Sequence, residues 1–436
     1  MTGPVFYPWS AQEHISPTRI TGGKGSRFWD DRGNRWLDLH SQLGNLALGH
    51  QHPAMVRAIR DQADRLATLA PSFATDVRDA AAAAVAAVAP PTLNTVFFTT
   101  GGADANEHAV RMARQVTGRD TVLTAHRSYH GGTEGAIGLT GDPRRRVAPP
   151  GSRVVRFSGP YPYRSDFHAT TAAEECARAV DHLERVLGYE DPDTVAALLI
   201  EPVVGSNGVL VPPDGYLPAV RRLCDRYGIL LVLDEVMTGF GRCGTWFAAD
   251  RWGVEPDLLT FAKGVNSGYV PIGGVVLSDA VAAHFRTIPY PGGMTYSGHP
   301  LACATVVAAL EVMAGESLVE RADTLGTDLM APELTALAAR HPSVGEVRGV
   351  GLAWAIELVR DRTTREPYAP YAAPGALAPP MARLLAACKD EGAWPLAVAN
   401  RLHLFPPLVI EEGELREGIA AVDRALTVAD DEIAAS

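Results

Sequence analysis

Residues 229–233 read Ile-Leu-Leu-Val-Leu, a run with no polar side chain for either face of a strand. A strand with one face in solvent alternates apolar and polar residues, so this one has to be covered on both sides. Just before it, Leu217, Val220, Cys224 and Tyr227 recur at helical spacing. Asp214 is placed to cap that helix, and Gly228 is able to end it in the left-handed conformation. Strand and helix alternate in this way from about residue 51 to 310. The pattern predicts an α/β fold with a mostly parallel central sheet and helices on both faces.

The flanks read differently. Residues 1–50 carry an arm and short strands (SRFWDDRGNRWLDL). Residues 311–436 carry a helix, a strand-like stretch (VGEVRGVGLAWAIELV), another helix and a strand (RLHLFPPLVI). At 436 residues two lobes are expected: a large one over 51–310, and a smaller α+β lobe from 311–436 completed by 1–50. A formal charge of −11 argues against a nucleic-acid partner, and the basic run Arg144–Arg146 reads as a solvated loop. The alanine-rich stretch Asp79–Pro91 is too short and too weakly apolar for a membrane span, and reads as a helix stopped by Pro90 and Pro91. Cys176, Cys224, Cys243, Cys303 and Cys388 show no C-x-x-C spacing. With no secretory signal visible in MTGPVFYPWSAQEH, a reducing cytoplasm is expected.

Three places carry chemistry. The strand around Thr95–Thr99 turns through Gly101 and Gly102 into a helix whose inner face holds Ala105, Ala109, Met112 and Val116, with a Glu107–Arg111 pair outside. Free N–H groups and the helix dipole make such a start an anion site. Asp234 ends the buried strand, where an ionised carboxylate is costly unless it is paired. It either meets a cationic partner or caps the next turn, with Glu235 in solvent. Lys263 follows a second apolar strand, Leu258–Ala262, at the rim of a hydrophobic pocket, where an amine loses its proton readily and becomes a nucleophile. A carboxylate, an amine and a phosphate-ready helix start at one sheet edge are the needs of a pyridoxal phosphate site.

Two other signals are set aside. Gly239, Gly241 and Gly244 in GFGRCG match the dinucleotide fingerprint, but Asp234 and Glu235 precede the turn and no well-formed helix opens at TWFAADRWG. His50 and His52 stand before Pro53 as turn residues rather than metal ligands, and no metal is expected.

With LGHQHPAMVRAI, FFTTGGADANEHAVRMAR, YHGGT, LIEPVVGSNGVLVPPDGYL, LDEVMTGFGR, FAKG, TYSGHPLACA and RLHLFPPLVI, the chain resembles the class III, or ω-amino acid, aminotransferases of pyridoxal phosphate fold type I. YPYRSDFH, ECARA and GVNSGYVPIGGVV resemble most the taurine–2-oxoglutarate and taurine–pyruvate branch. The resemblance implies a transaminase moving an amino group from an ω-amino acid or related amine to 2-oxoglutarate or pyruvate by a ping-pong mechanism. An aminomutase, decarboxylase or epimerase of the same fold type, or a non-catalytic cofactor-binding protein, stays open. By resemblance, Lys263 would bond to the cofactor and Asp234 would pair with its ring nitrogen. Tyr129, beside His130 in the YHG motif, would stack on one ring face and Val236 press on the other. Gly102 and Ala103 would hold the phosphate by backbone N–H, and Thr295 would reach it from a neighbouring subunit, which implies a homodimer or higher oligomer. Glu201 would lie near the cofactor hydroxyl.

The chain departs from the family pattern at three places. Gly101-Gly102-Ala103 lacks the hydroxyls usual in the phosphate turn, Ser206 stands where some members place a gating glutamate, and Leu396 occupies the place of a mobile arginine. Arg401 is the candidate for the acceptor's carboxylate, and Trp9 for a wall of the donor pocket.

Overall fold

A computed structural model describes residues 4–148, 153–371 and 377–435. Its central sheet has seven strands, in spatial order Leu93–Thr99, Gly273–Ser278, Leu258–Phe261, Leu230–Asp234, Val195–Ile200, Thr121–Ala125 and Val154–Phe157. Only Gly273–Ser278 runs antiparallel to its neighbours. The apolar run is divided between two cores. Leu231 and Leu233 pack with Leu183, Leu187 and Val220 on one face, whereas Val232 packs with Ala105, Ala109 and Met112 on the other. Full burial of each such side chain contributes about 1.5–3 kcal/mol, which fixes the register of the strand.

The helix before that strand spans Tyr216–Tyr227 and ends at Gly228 in the left-handed conformation (φ 61°). Asp214 does not cap it. Gly215, itself left-handed (φ 84°), precedes the first turn and supplies no side-chain cap. The alanine-rich helix is Asp76–Val88, capped by Thr75 and ending two residues before Pro90. The Glu107–Arg111 pair does not form. Glu107 accepts instead from Thr133 and from the backbone of Ala136, while Arg111 donates to the Pro291 carbonyl.

Two smaller sheets flank the central one. Ile20–Lys24, Arg27–Asp30 and Arg35–Asp38 are joined by Ala393–Trp394, which lies parallel to Leu37–Asp38. Val344–Val350, Ala353–Asp361, Arg401–Leu404 and Leu396–Val398 form the other, with Glu366–Pro367 at the side. The first and last parts of the chain therefore share a sheet. The GFGRCG segment forms the seam to this lobe. Buried Arg242 donates to the carbonyls of Leu352 (2.9 Å) and Pro406 (2.6 Å), and a Cβ at Gly351 would lie 2.5 Å from the Cys243 carbonyl carbon. Gly241 (φ 86°) and Gly244 (φ 81°) turn the segment through left-handed backbone, and TWFAADRWG supplies only a short 3-10 turn, Ala248–Trp252. Among the described residues no single helix is long and apolar enough to cross a membrane, and no group of three or more His, Cys, Asp or Glu is placed to hold a metal.

Candidate active site

Strands Leu230–Asp234 and Leu258–Phe261 are parallel neighbours with Asp234 opposite Thr260, so Asp234 and Lys263 leave the sheet at the same edge. Through Gly273–Ser278, whose Gly273 and Gly274 lie opposite Thr99 and Phe261, the end of Leu93–Thr99 reaches that edge too. Loops beyond the carboxyl ends of such strands are where open α/β sheets bind ligands. A cavity of about 400 Å³ opens there, lined among others by Gly102, Ala103, Tyr129, Asp234, Val236 and Lys263.

Lys263 adopts a left-handed backbone (φ 45°), a strained conformation for a lysine. Its Nζ lies 3.6 Å from Met237 Sδ and, among the described residues, has no carboxylate within 4.0 Å. Burial pulls its pKa down against the attraction of Asp234 and Glu201, so a larger share of the amine is neutral and nucleophilic. The chain has only two other lysines, Lys24 and Lys389, and neither lines this cavity.

Asp234 is buried and hydrogen-bonded on both oxygens. Oδ2 accepts from Asn106 Nδ2 and His130 Nδ1, each at 2.7 Å, while Oδ1 accepts only from the Val236 backbone at 3.1 Å. It therefore caps the next turn and also retains acceptor capacity on Oδ1. Asn106 is locked in turn, donating to the His130 carbonyl (2.8 Å) and accepting from Thr260 Oγ1 (2.7 Å). His130 completes the set through Thr124 Oγ1 at 3.1 Å. Three donors thus fix the position and orientation of the carboxylate.

Glu235, next along the chain, is fully buried and not in solvent. It accepts from the backbones of Ala248 (3.1 Å) and Ala249 (2.8 Å) and from Thr238. Burial still pushes its pKa up to about 7. The folded state then binds a proton more tightly than the unfolded chain, so stability is lost as pH rises from the unfolded value through about 7. The shift corresponds to about 3 kcal/mol. Glu235→Gln should flatten the decline in unfolding free energy between pH 5 and pH 8, measured by denaturant titration, and an unchanged slope would contradict this assignment.

Around the rest of the cavity, the Gly102–Thr117 helix opens with the N–H groups of Gly102 and Ala103 free of partners among the described residues. A Cβ on Gly102 would lie 2.7 Å from Val236, so only glycine lets the turn approach that wall. Asp104, in the same turn, is occupied by the backbone (2.7 Å) and hydroxyl (2.8 Å) of Thr100. The Tyr129 backbone donates to Glu201 at 2.9 Å, and Gly205 donates to the other Glu201 oxygen at 2.8 Å. Burial pushes the Glu201 pKa up, opposed by His130. Thr295 is exposed and does not line the cavity of its own chain.

A second cavity of about 450 Å³ adjoins the first and shares Tyr129, Ser206, Met237 and Lys263 with it. Trp9, Arg144, Leu396 and Arg401 line it. Arg401 lies opposite Glu357 in the sheet register yet forms no ion pair with it, because Glu357 is taken by Arg164 (2.5 Å), Arg348 (2.8 Å) and Tyr161. Arg401 is 1% exposed, and its Nε and Nη2 have no partner among the described residues. A buried unpaired guanidinium is costly, and burial lowers its pKa. Such a group calls for an anionic ligand.

Arg144 is no solvated loop residue. Its guanidinium sits 3.6 Å above the Tyr129 ring and pairs with Asp142. Its role was invisible in sequence because the run Arg144–Arg146 carries no periodicity. Asn106 was also missed, although a polar residue between Ala105 and Ala109 on a buried helix face was the available signal.

These groups fit pyridoxal phosphate: unpaired N–H donors at a helix start, a carboxylate with a spare acceptor, and a buried amine without a counter-ion, around one cavity. A profile described as aminotransferase class III matches residues 9–426. The taurine:2-oxoglutarate aminotransferase from Bifidobacterium kashiwanohense, solved with PLP and glutamate, superposes with a TM-score of 0.94. The two chains are 39% identical, over 99% of this chain and 96% of that one. The acetylornithine aminotransferase of Methanopyrus kandleri is 34% identical over 94% of each chain. The hypotaurine/taurine–pyruvate aminotransferase of Paracoccus denitrificans is 33% identical, over 95% of this chain and 92% of its own length. The chain belongs to the class III aminotransferases, fold type I enzymes that use pyridoxal phosphate to move an amino group to a 2-oxo acid.

Proposed function

We propose that this transaminase takes an amine carrying an acid group on a distal carbon, of the kind represented by taurine and β-alanine, and passes its amino group to 2-oxoglutarate or pyruvate. The observation that carries this reading is Arg401, fully buried and, among the described residues, unpaired on the wall of the cavity that contains Lys263. Donor and acceptor occupy one site in turn, so each needs its acid group met there. Arg401 binds the acceptor's carboxylate, and Arg144, above Tyr129, offers a second cation to an acid group.

Pyridoxal phosphate supplies an aldehyde that bonds to amines and a ring that withdraws electrons from the bond to be broken. Lys263 Nζ would hold the cofactor, and as a buried amine with its pKa pulled down it would serve as the base that moves a proton at the donor's amine-bearing carbon. Asp234, fixed by Asn106 and His130, would meet the ring nitrogen through Oδ1. Tyr129 and Val236 would confine the ring, Glu201 would lie on its hydroxyl side, and the N–H groups of Gly102 and Ala103 would take the phosphate. Trp9, half-exposed at the cavity rim, closes the donor side. Thr295, exposed on its own chain, reaches the phosphate of a neighbouring subunit in a homodimer. Five free cysteines, four of them buried, suit a reducing cytoplasm.

The test is amino-group tracking. With a panel of taurine, β-alanine, 4-aminobutyrate, ornithine and aspartate against both acceptors, alanine or glutamate should form with parallel-line kinetics for acid-bearing amines. Release of ammonia, loss of carboxylate or no turnover with any pair would contradict it.

A further inference from the structure

Two guanidinium groups share the cavity beside Lys263, and they are held differently. Among the described residues Arg401 has no ion partner, whereas Arg144 is bound by Asp142 Oδ2 through Nε (2.8 Å) and Nη2 (2.5 Å), with Nη2 also on Ser206 Oγ (2.8 Å). Nη1 of Arg144 has no hydrogen bond to the described residues. Asp142 is itself restrained: Oδ1 accepts from the Arg144 backbone (2.8 Å), and Oδ2 accepts from Asn207 Nδ2 (2.8 Å). Asn207 Oδ1 in turn accepts the Tyr371 hydroxyl at 2.8 Å. The direction of this line is fixed. An inverted amide would set the Asn207 carbonyl oxygen against the Asp142 carboxylate, acceptor against acceptor. The Tyr371 ring then stands 5.7 Å from Arg401 Cζ and 5.2 Å from Arg127 Cζ, within cation–π range of both. An unbroken run of contacts thus passes from Arg144 through Asp142, Asn207 and Tyr371 to Arg401.

We propose that Asp142, Asn207 and Tyr371 are positioning residues that brace Arg144 at a fixed separation from Arg401, and so set how far from the transferred amine a substrate's acid group can lie. An unbraced arginine samples many rotamers and meets acids over a range of distances. A braced one presents Nη1 from one place, and a charge-assisted hydrogen bond is sensitive to that placement. Ser206 belongs to the same device, since it receives the inner edge of Arg144. The proposal rests on the reading of acid-bearing donors given above, and adds a basis for choosing among them.

Tyr371→Phe removes a single hydroxyl from a ring that is 41% exposed, and Asn207→Leu cuts the line in the middle. The holoenzymes are compared in the first half-reaction, read from cofactor absorbance in single turnovers. The probes are 2-aminoethanesulfonate, 3-aminopropanesulfonate and the neutral propylamine. Wild type should separate the two sulfonates by about tenfold or more, and both variants should shrink that ratio at least about fivefold, while propylamine changes by less than about twofold. A brace is ruled out if wild type does not separate the sulfonates, if the variants keep the ratio, or if all three amines slow together as in general damage to the fold. If wild type reacts with propylamine and neither sulfonate, the acid-bearing donor reading itself fails, a result distinct from loss of the ratio in the variants alone.

Discussion

Lys263→Ala should lower turnover by at least about 10⁴-fold, because one nitrogen both bonds to the cofactor and carries the proton between substrate and cofactor. The other lysines are poorly placed to substitute. Lys24 lies on a flanking strand, and Lys389 sits 3.5 Å over the Trp394 ring in the smaller lobe. The loss should be chemical rather than structural. Lys263 Nζ has no ion pair, so removing it leaves no buried carboxylate without its partner, and alanine keeps the same backbone turn. The unfolding midpoint of the cofactor-free variant should therefore match that of the cofactor-free parent. Steady-state rates and thermal melts check both halves, and near-normal transamination in the variant would refute the assignment.

Arg401→Met should act on binding and on stability with opposite signs. Two charge-assisted hydrogen bonds to an acceptor carboxylate, each worth about 1.5–3 kcal/mol, would be lost, so KM for the 2-oxo acid should rise by about 10²-fold or more. In the cofactor-free protein the same change removes a buried cation whose Nε and Nη2 are unpaired. Glu357 keeps Arg164, Arg348 and Tyr161, so no new unpaired charge appears. Glu357 attracts Arg401 only from beyond ion-pair distance, so removing this desolvated cation should be stabilising, and the melting point should rise. A fall in stability together with an unchanged KM would mean that Arg401 is a structural residue.

Much of the site was legible because its residues obey simple rules. The all-apolar run before Asp234 had to be covered on two faces, and Leu231, Val232 and Leu233 do divide between two cores. Gly101–Gly102 marked a helix start, and its free N–H groups are there. What stayed hidden depends on contacts between distant parts of the chain. Arg144 reads as a loop charge until Asp142, Ser206 and Tyr129 are brought around it. Asn106 reads as an ordinary helix residue until Asp234, 128 positions away, receives its amide. The Glu107–Arg111 expectation failed for the same reason, since tertiary partners at Thr133 and Pro291 displaced a local pair of small value. Asp214 lost its cap to a left-handed glycine one residue later.

The account stands on one covalent attachment, and the small number of lysines makes it directly measurable. Borohydride reduction of the cofactor-loaded enzyme, followed by peptide mass mapping, should place a single pyridoxyl group on Lys263 and none on Lys24 or Lys389. A label on either of those residues, or no label on an enzyme that still transfers amino groups, would contradict it.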